Sequence, residues 1–243
     1  MGDVSAQDRS RPRRTGHLRF ALLGSGSRGN GLLVECGPTA ILVDCGFTLK
    51  ETERRLARLG RAPHALSAIL VTHEHGDHVD GVGPLARKYD LPVWLTAGTH
   101  AALGAAATGR LPQCRRFSAR DDFSIDAIAV HPYTVPHDAR EPCQFVFSDG
   151  ARRLGLLTDA GHITPPIETR LGGCDALILE CNHDSDMLAD GPYPEILKQR
   201  VGGPLGHLNN DAAAALLASL ETDRLQHIVA AHLSETNNTP WLV

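Results

Sequence analysis

Between Thr72 and His78 the chain reads Thr-His-Glu-His-Gly-Asp-His, three imidazoles and two carboxylates within six residues. The chemistry this set offers is divalent metal binding, since imidazole and carboxylate suit zinc, iron and manganese. The cluster follows the apolar run Ala68-Ile69-Leu70-Val71, which reads as a buried strand. His73 and His75 are two apart, so extended backbone aims both the same way and Glu74 the other. Asp77 and His78 lie just past the turn that Gly76 permits. These four residues are enough for one ion, and their crowding, with more His and Asp downstream, points to two ions side by side. The competing reading is an ordinary polar surface turn.

Other apolar runs end in the same chemistry. Ile41-Leu42-Val43 ends at Asp44, Gly155-Leu156-Leu157 at Thr158-Asp159, and Leu177-Ile178-Leu179 at Glu180-Cys181-Asn182-His183. Tyr133-Thr134-Val135 is followed by Pro136-His137-Asp138, and Ile228-Val229-Ala230 by Ala231-His232. Loops at strand ends gather catalytic groups because the sheet holds them rigid. One Asp after a strand is readily explained as a turn or helix cap; five such strand ends beside a histidine cluster are not.

The elements that must position these residues read as a repeated grammar. Leu18–Leu23, Gly31–Cys36 and Ala40–Asp44 form a meander with glycine turns, and Leu49–Leu59 is an amphipathic helix ended by Gly60. Val79–Lys88 reads as a helix, Pro92–Leu95 as a strand and His100–Ala107 as an alanine-rich helix. In the second half Phe123–Val130, Gln144–Ser148, Arg153–Leu157, Ala176–Glu180 and Ile228–Ala230 read as strands. Ile163–Leu171 and Ala212–Leu220 read as helices. Strands first, then strand–helix alternation, twice over, predicts an α+β fold of two face-to-face sheets with helices outside.

Length and composition bound the rest. The chain of 243 residues is long enough for one domain with a substantial core. Residues 1–17 read as a basic, disordered leader and 18–243 as a single domain. No apolar run approaches the length of a membrane span, and the N-terminus lacks a signal peptide's apolar centre. With six cysteines and no CxxC pair, buried thiols in a reducing cytoplasm are expected rather than disulfides. The net charge of −4 gives no global pull toward nucleic acid.

With Asp44, Thr72–His78, His137, Asp159 and His232 in this order, the chain resembles the metallo-β-lactamase superfamily of hydrolases. The resemblance implies a four-layer αββα sandwich with its metal site at one edge of the sheets. It implies that His73, His75 and His137 hold a first metal, that Asp77, His78 and His232 hold a second, and that Asp159 bridges both. Asp44 would support the cluster by hydrogen bonding. Gly24-Ser25-Gly26-Ser27-Arg28-Gly29-Asn30, Glu180–Asp184, Gly206-His207-Leu208-Asn209-Asn210 and His232–Asn238 are similar to the YycJ/WalJ-like exonuclease branch. That branch implies 5′→3′ exonuclease activity on DNA and a link to DNA repair. It also implies about another twenty residues after Thr239-Pro240-Trp241, which looks like the start of a final helix.

The expected activity is therefore phosphodiester hydrolysis, with single-stranded or end-containing DNA as partner and a metal-bridging hydroxide as nucleophile. Zinc fits the histidine-rich set, and manganese or iron can occupy the same pattern. Asp77 and Asp159 enter the catalytic set with the metals. His207 and His183 are the candidates to protonate the leaving group, each with a structural alternative. Ser25, Ser27 and Asn30 either make a sharp hairpin or touch phosphate oxygens. Asn209, Asn237 and Asn238 either hold sugar and phosphate or cap helices. Arg28 and Lys198 are candidate phosphate contacts or solvated charges. The competing activities are a glyoxalase-II-like thioester hydrolase and a small-molecule phosphodiesterase or lactonase; a metal-stabilised interaction module is the non-enzymatic alternative.

Overall fold

Alternation along the buried strands builds the layers. In the computed structural model, which describes residues 16–243, the first sheet holds six strands in the order β1 (Arg19–Gly24), β2 (Gly31–Cys36), β3 (Thr39–Val43), β4 (Ala68–Leu70), β5 (Pro92–Thr96) and β6 (Gln113–Phe117). The second holds β7 (Phe123–Ile125), β8 (Ile128–Thr134), β9 (Cys143–Ser148), β10 (Arg153–Leu157), β11 (Ala176–Glu180) and β12 (His227–Ala231), again in chain order. Ile41, Val43 and Leu70 face Phe145, Phe147 and Ile178 across the space between the sheets. Their neighbours Leu42 and Ile69 face outward with Leu56 of α1 (Leu49–Arg58) and Leu85 of α3 (Val82–Tyr89). Leu177 and Leu179 likewise face outward with Ile167 of α5 (Pro165–Leu171) and Leu216 of α8 (Asn210–Ser219). A period of two on strands that are buried on both faces gives helix, sheet, sheet, helix: the expected αββα sandwich.

Each sheet starts antiparallel and finishes parallel. β1-β2-β3 pair antiparallel and β3-β4-β5-β6 parallel. β7 to β10 pair antiparallel and β10-β11-β12 parallel. The parallel strands point the same way within each sheet, so their C-terminal ends share one edge, where the polar strand ends collect.

Several expected elements differ. The strand read over Phe123–Val130 is a hairpin, β7 and β8, turning at Asp126 with φ 48°; Asp tolerates this left-handed geometry and the apolar pattern hid it. The helix read over Val79–Lys88 is two, α2 (Gly76–Val79) and α3, divided at Gly81. A Cβ at Gly81 would lie 2.0 Å from Phe47 O, so the chain needs glycine there. The alanine-rich helix α4 (Ala97–Thr108) is broken at Gly104. The polar edge strand β6 was not foreseen, nor were α6 (Ser185–Asp190) and α7 (Glu195–Val201). Thr239-Pro240-Trp241 forms a turn, with Leu242 N donating to Thr239 O. The basic leader falls, but for Gly16 and His17, outside the described residues. No helix among the described residues is long and apolar enough to cross a membrane. Cys114 is exposed, while the other five cysteines are buried.

Candidate metal centre

Asp44, first after β3, starts the construction. Both its oxygens are used: Oδ1 accepts from Thr72 N at 2.9 Å, and Oδ2 from Thr72 Oγ1 and His78 Nδ1, each at 2.8 Å. Thr72 Oγ1 then stands 2.9 Å from His73 Nδ1 and can accept its proton. His137 Nδ1 faces Gly206 O at 3.1 Å, and His75 Nε2 faces Asp138 O at 3.2 Å. Carbonyls accept only, so the outward nitrogens of His75 and His137 carry the protons. The inward nitrogens then meet as lone pairs, His75 Nδ1 lying 3.1 Å from His73 Nε2 and 3.3 Å from His137 Nε2. Three such lone pairs repel unless a cation stands among them.

A second group adjoins the first. His78 Nε2 lies 3.5 Å from Asp77 Oδ2 and 3.4 Å from Asp159 Oδ2, and His232 Nε2 lies 3.5 Å from Asp159 Oδ1. Asp159 Oδ2 and His232 Nε2 are buried without a hydrogen-bond partner. Buried orphans of this kind are costly, and two facing the same point fit a missing cation. Potential ligand atoms of His73, His78 and Asp159 also converge, which puts Asp159 between the two groups. The donor set therefore fits two ions, nitrogen-rich on one side and carboxylate-rich on the other.

Electrostatics divides the groups in the same way. Burial drives the His73 pKa well below its ordinary value, with His78, His137 and His75 adding to the effect. His137 is also lowered by burial, against the pull of Asp159. Burial alone would lower His78 too, but Asp159, Asp44 and Asp77 outweigh it and raise the pKa to about 9. His232 is raised well above the ordinary range because Asp159 and Glu180 outweigh its burial. For Asp77, burial is overcome by His232 and His78, and its pKa falls to about 2.

Backbone strain concentrates here. Asp44, Asp159 and His232 all have left-handed φ, 58°, 55° and 56°. Non-glycine residues hold this region at a cost, which the surrounding bonds must cover. Gln144, fully buried, donates from Nε2 to Thr158 O at 2.8 Å, and Ala160 N donates to Glu180 Oε2 at 2.9 Å; together they pin both flanks of Asp159. His232 N donates to Ser25 Oγ at 2.7 Å.

Glu180 is the residue the sequence reading left without a role. It is fully buried at the end of β11 and accepts from His207 Nδ1 at 2.8 Å, His232 Nδ1 at 3.1 Å and Leu208 N at 3.2 Å. Burial would raise its pKa, but His207 and His232 hold it well below the carboxylate range. In return Glu180, with Asp159, raises His207 above its ordinary value despite burial. The signal was present, since Glu180 ends an apolar strand as Asp44 does.

A cleft of about 370 Å³ opens over these groups, lined among others by Ser27, Asp77, His137, Asp159, His207 and His232. His207 thus has one ring nitrogen on Glu180 and lies against open space with the other. His183 does not line the cleft. Its Nδ1 meets Asn182 Oδ1 at 3.2 Å and its ring is buried beneath Gly202, so it belongs to the wall. Asn209 caps α8 through Ala212 N, and Asn238 bonds Cys181 O and Asn210. Asn237 is fully buried under Gly191. Asn209 and Asn238 are thus engaged within the fold, neither amide atom of Asn237 has a hydrogen-bond partner among the described residues, and none of the three lines the cleft. Asp184 caps α6, accepting from Met187 N. The glycine-rich loop is the hairpin turn between β1 and β2, with Gly26 and Gly29 at φ 127° and 137°. Its polar residues nonetheless turn to the site: Asn30 Nδ2 donates to Asp77 Oδ2 at 3.1 Å, and Ser27 faces the cleft. Arg28 pairs with Glu235, and Lys198 donates to Ala189 O; neither lines the cleft, whereas Arg200 and Tyr193 of the α7 region do.

Residues 39–228 match the family model described as the beta-lactamase superfamily domain. Exodeoxyribonuclease YycJ of Bacillus anthracis is 40% identical over 223 residues, which cover 91% of this chain and 84% of that protein. Exodeoxyribonuclease WalJ of Streptococcus pneumoniae serotype 2 is 34% identical over 224 residues, covering 91% and 83%. The metallo-beta-lactamase fold protein YhfI from Bacillus subtilis superposes with a TM-score of 0.73 at 19% identity, over 93% of this chain and 90% of that one; at that identity the likeness speaks for the fold alone.

Proposed function

The chain belongs to the beta-lactamase superfamily and is a metal-dependent hydrolase, and from that premise we propose that it is a DNA exonuclease acting from the 5′ end. His73, His75 and His137 would hold one divalent ion, Asp77, His78 and His232 the other, with Asp159 shared. Zinc is the ion proposed, manganese or iron being the alternatives for the same donors. Bound there, the ions supply an activated water near neutral pH and neutralise charge on the phosphoryl oxygens.

The observation that carries the reading is the His207–Glu180 pair. A phosphodiester leaves as an alkoxide, which must be protonated. His207 is held protonated to higher pH by Glu180, its Nδ1 lying 3.6 Å from Asp159 Oδ1 as well, and its ring lines the cleft. Its free nitrogen would give a proton to the leaving oxygen. A thiolate leaving group, as in thioester hydrolysis, is a weaker base and needs no such acid. Ser27, which also lines the cleft, offers a hydroxyl to a phosphoryl oxygen. DNA as substrate is supported by the names of the two relatives that align over nearly the whole chain.

The test is hydrolysis of 5′- and 3′-labelled, single- and double-stranded DNA by metal-depleted protein refilled with Zn²⁺, Mn²⁺ or Fe²⁺. Loss of mononucleotides from the 5′ end is the expected result. Inertness toward DNA with every ion, together with rapid thioester or lactone hydrolysis, would reassign the site to small molecules.

A further inference from the structure

The second feature that points to a ligand lies outside the cleft, on the edge strand β6. From Gly109 to Asp121 the chain carries Arg110, Arg115, Arg116 and Arg120 against Asp121 alone, in a protein whose net charge is −4. All four arginines are exposed. Among the described residues none of them meets a carboxylate, whereas Arg54, Arg61, Arg152, Arg200 and Arg224 each do. Arg115 is instead steadied by Gln113 Oε1 at 3.3 Å and by the Trp94 ring, 5.3 Å below its guanidinium. Among the described residues β6 pairs only with β5, so its outer edge is open to them.

This strand is aimed at the active edge. Leu70, Trp94 and Arg115 stand in one row across β4, β5 and β6, all parallel. Two strand spacings make the row about 10 Å wide. β4 leads directly into the His73–His78 loop, so β6 ends on the same edge of the sandwich. The backbone of another exposed arginine, Arg140, which among the described residues has no carboxylate partner, is held between them. Its backbone N donates to Glu74 Oε1 at 2.7 Å, and the next residue's carbonyl accepts from Thr96 Oγ1 at the end of β5.

We propose that Arg140, Arg115, Arg116 and the flanking Arg110 and Arg120 form a track that holds the phosphate backbone of the polynucleotide outside the cleft. The inference deepens the exonuclease reading and rests on it for the identity of the ligand. Planar guanidinium groups without internal partners suit phosphate oxygens, and a local basic row overcomes an acidic net charge at short range. The competing explanation is that charged residues merely keep an open strand edge from pairing with another chain.

The native thiol Cys114, between the arginines, is exposed while the other cysteines are buried, and it reports on the track in the unaltered protein. The metal-loaded full chain is alkylated with a maleimide with and without a phosphorothioate 30-nucleotide strand, which resists hydrolysis. Anisotropy titrations of the same strand are run from low to high NaCl on wild type and on Arg115→Glu/Arg116→Glu. The track predicts several-fold slower alkylation of Cys114 under the strand, and no slowing with a dinucleotide. It predicts about 10-fold or weaker binding by the variant and a salt dependence shallower by about 1.4, two single-strand phosphate contacts. Equal alkylation with and without the strand, or an unchanged slope in a monomeric variant, overturns it and assigns the arginines to edge protection. Protection of Cys114 in a protein that hydrolyses no DNA supports the track and overturns the exonuclease reading; DNA hydrolysis without protection does the reverse.

Discussion

Each sheet ends a buried strand in a carboxylate that receives protons from site histidines, Asp44 in the first and Glu180 in the second, and the two serve different neighbours. Asp44 receives Thr72 and His78, both within its own sheet and both from one short loop. Glu180 gathers His207, His232, Leu208 and Ala160, which come from three separated stretches of chain. The first sheet therefore builds its part of the site locally, once β3 and β4 have paired. The second builds its part only when β10, β11, β12 and the loop before α8 are all in place. The first part fixes donor geometry. The second also tunes a proton, because Glu180 touches both a proposed metal ligand and the proposed acid.

Asp159 belongs to the second sheet yet its carboxylate reaches both ligand groups, so removing its charge is the most damaging way to break the comparison. Asp159→Asn should lower turnover on the order of 10³-fold, comparable to loss of a strong electrostatic stabiliser. Thermal stability should change far less, and elemental analysis should show weakened metal retention. Turnover near wild type in zinc and manganese alike would remove Asp159 from the shared position.

His207→Ala separates proton delivery from metal binding. It should cost about 10²–10⁴-fold in turnover with two ions retained. The pH profile carries the sign. Glu180 raises the His207 pKa, so the acid is present below that raised value and activity declines as pH climbs through it. The variant should lose this alkaline limb. If the ions leave instead, His207 supports the cage rather than the chemistry.

These contrasts explain what the sequence made legible. The Thr72–His78 loop announces itself because its ligands are contiguous, and Asp44, His137, Asp159 and His232 follow as polar ends of apolar strands. Glu180 follows the same rule, but nothing local says that its oxygens face histidines. Gln144 sits inside β9 in an otherwise apolar strand, and its duty to Thr158 exists only once β9 and β10 pair. His183 and Asn209 misled for the converse reason: polar residues near a site are as able to cap a helix or fill a wall as to meet a ligand. The layered fold was readable from strand alternation. The exposed, polar β6 was not, since no buried face marks it.

The carboxylates themselves supply the next test. Glu180→Gln should reduce activity about 10- to 100-fold while shifting the alkaline limb to lower pH, because it releases His207 as well as His232. Asp44→Asn should cost a similar factor in metal affinity and leave that limb in place. Identical profiles for the two variants would erase the distinction between a local anchor and a proton-tuning hub.

Metal removal gives a smaller, pH-dependent effect. In the metal-free protein the His78 pKa stands near 9, above its unfolded value of about 6.5. A raised folded pKa gives stability that is complete below about pH 6.5 and is lost as pH rises toward 9. Urea midpoints of the metal-free protein should therefore fall between those values, and refilling with zinc should flatten the trend because the ion takes the proton's place. His78→Asn should make the trend shallower without metal as well, leaving the share of His232 and His207, whose pKa values are also raised. A metal-free midpoint that rises over this interval would mean that the carboxylates around His78 do not control it.

The smallest effect belongs to Ser25, which crosses the division between the sheets. It lies in the hairpin after β1, and its hydroxyl accepts from His232 N beyond β12, 207 residues away, at 2.7 Å. That bond helps hold His232 at its left-handed φ. Ser25→Ala leaves a partly buried N–H without its partner, at a cost of about 1 kcal/mol. For a domain of this size the melting temperature should drop by roughly 2–4 °C. Because the bond acts on backbone conformation and not on charge, the loss should be the same across neutral pH, unlike that of Glu180→Gln. Retention of the second ion should weaken more than that of the first, since His232 is a proposed ligand of the second ion and does not join the His73, His75 and His137 group. Equal weakening of both ions would mean that Ser25 braces the whole sheet edge rather than the turn that carries His232.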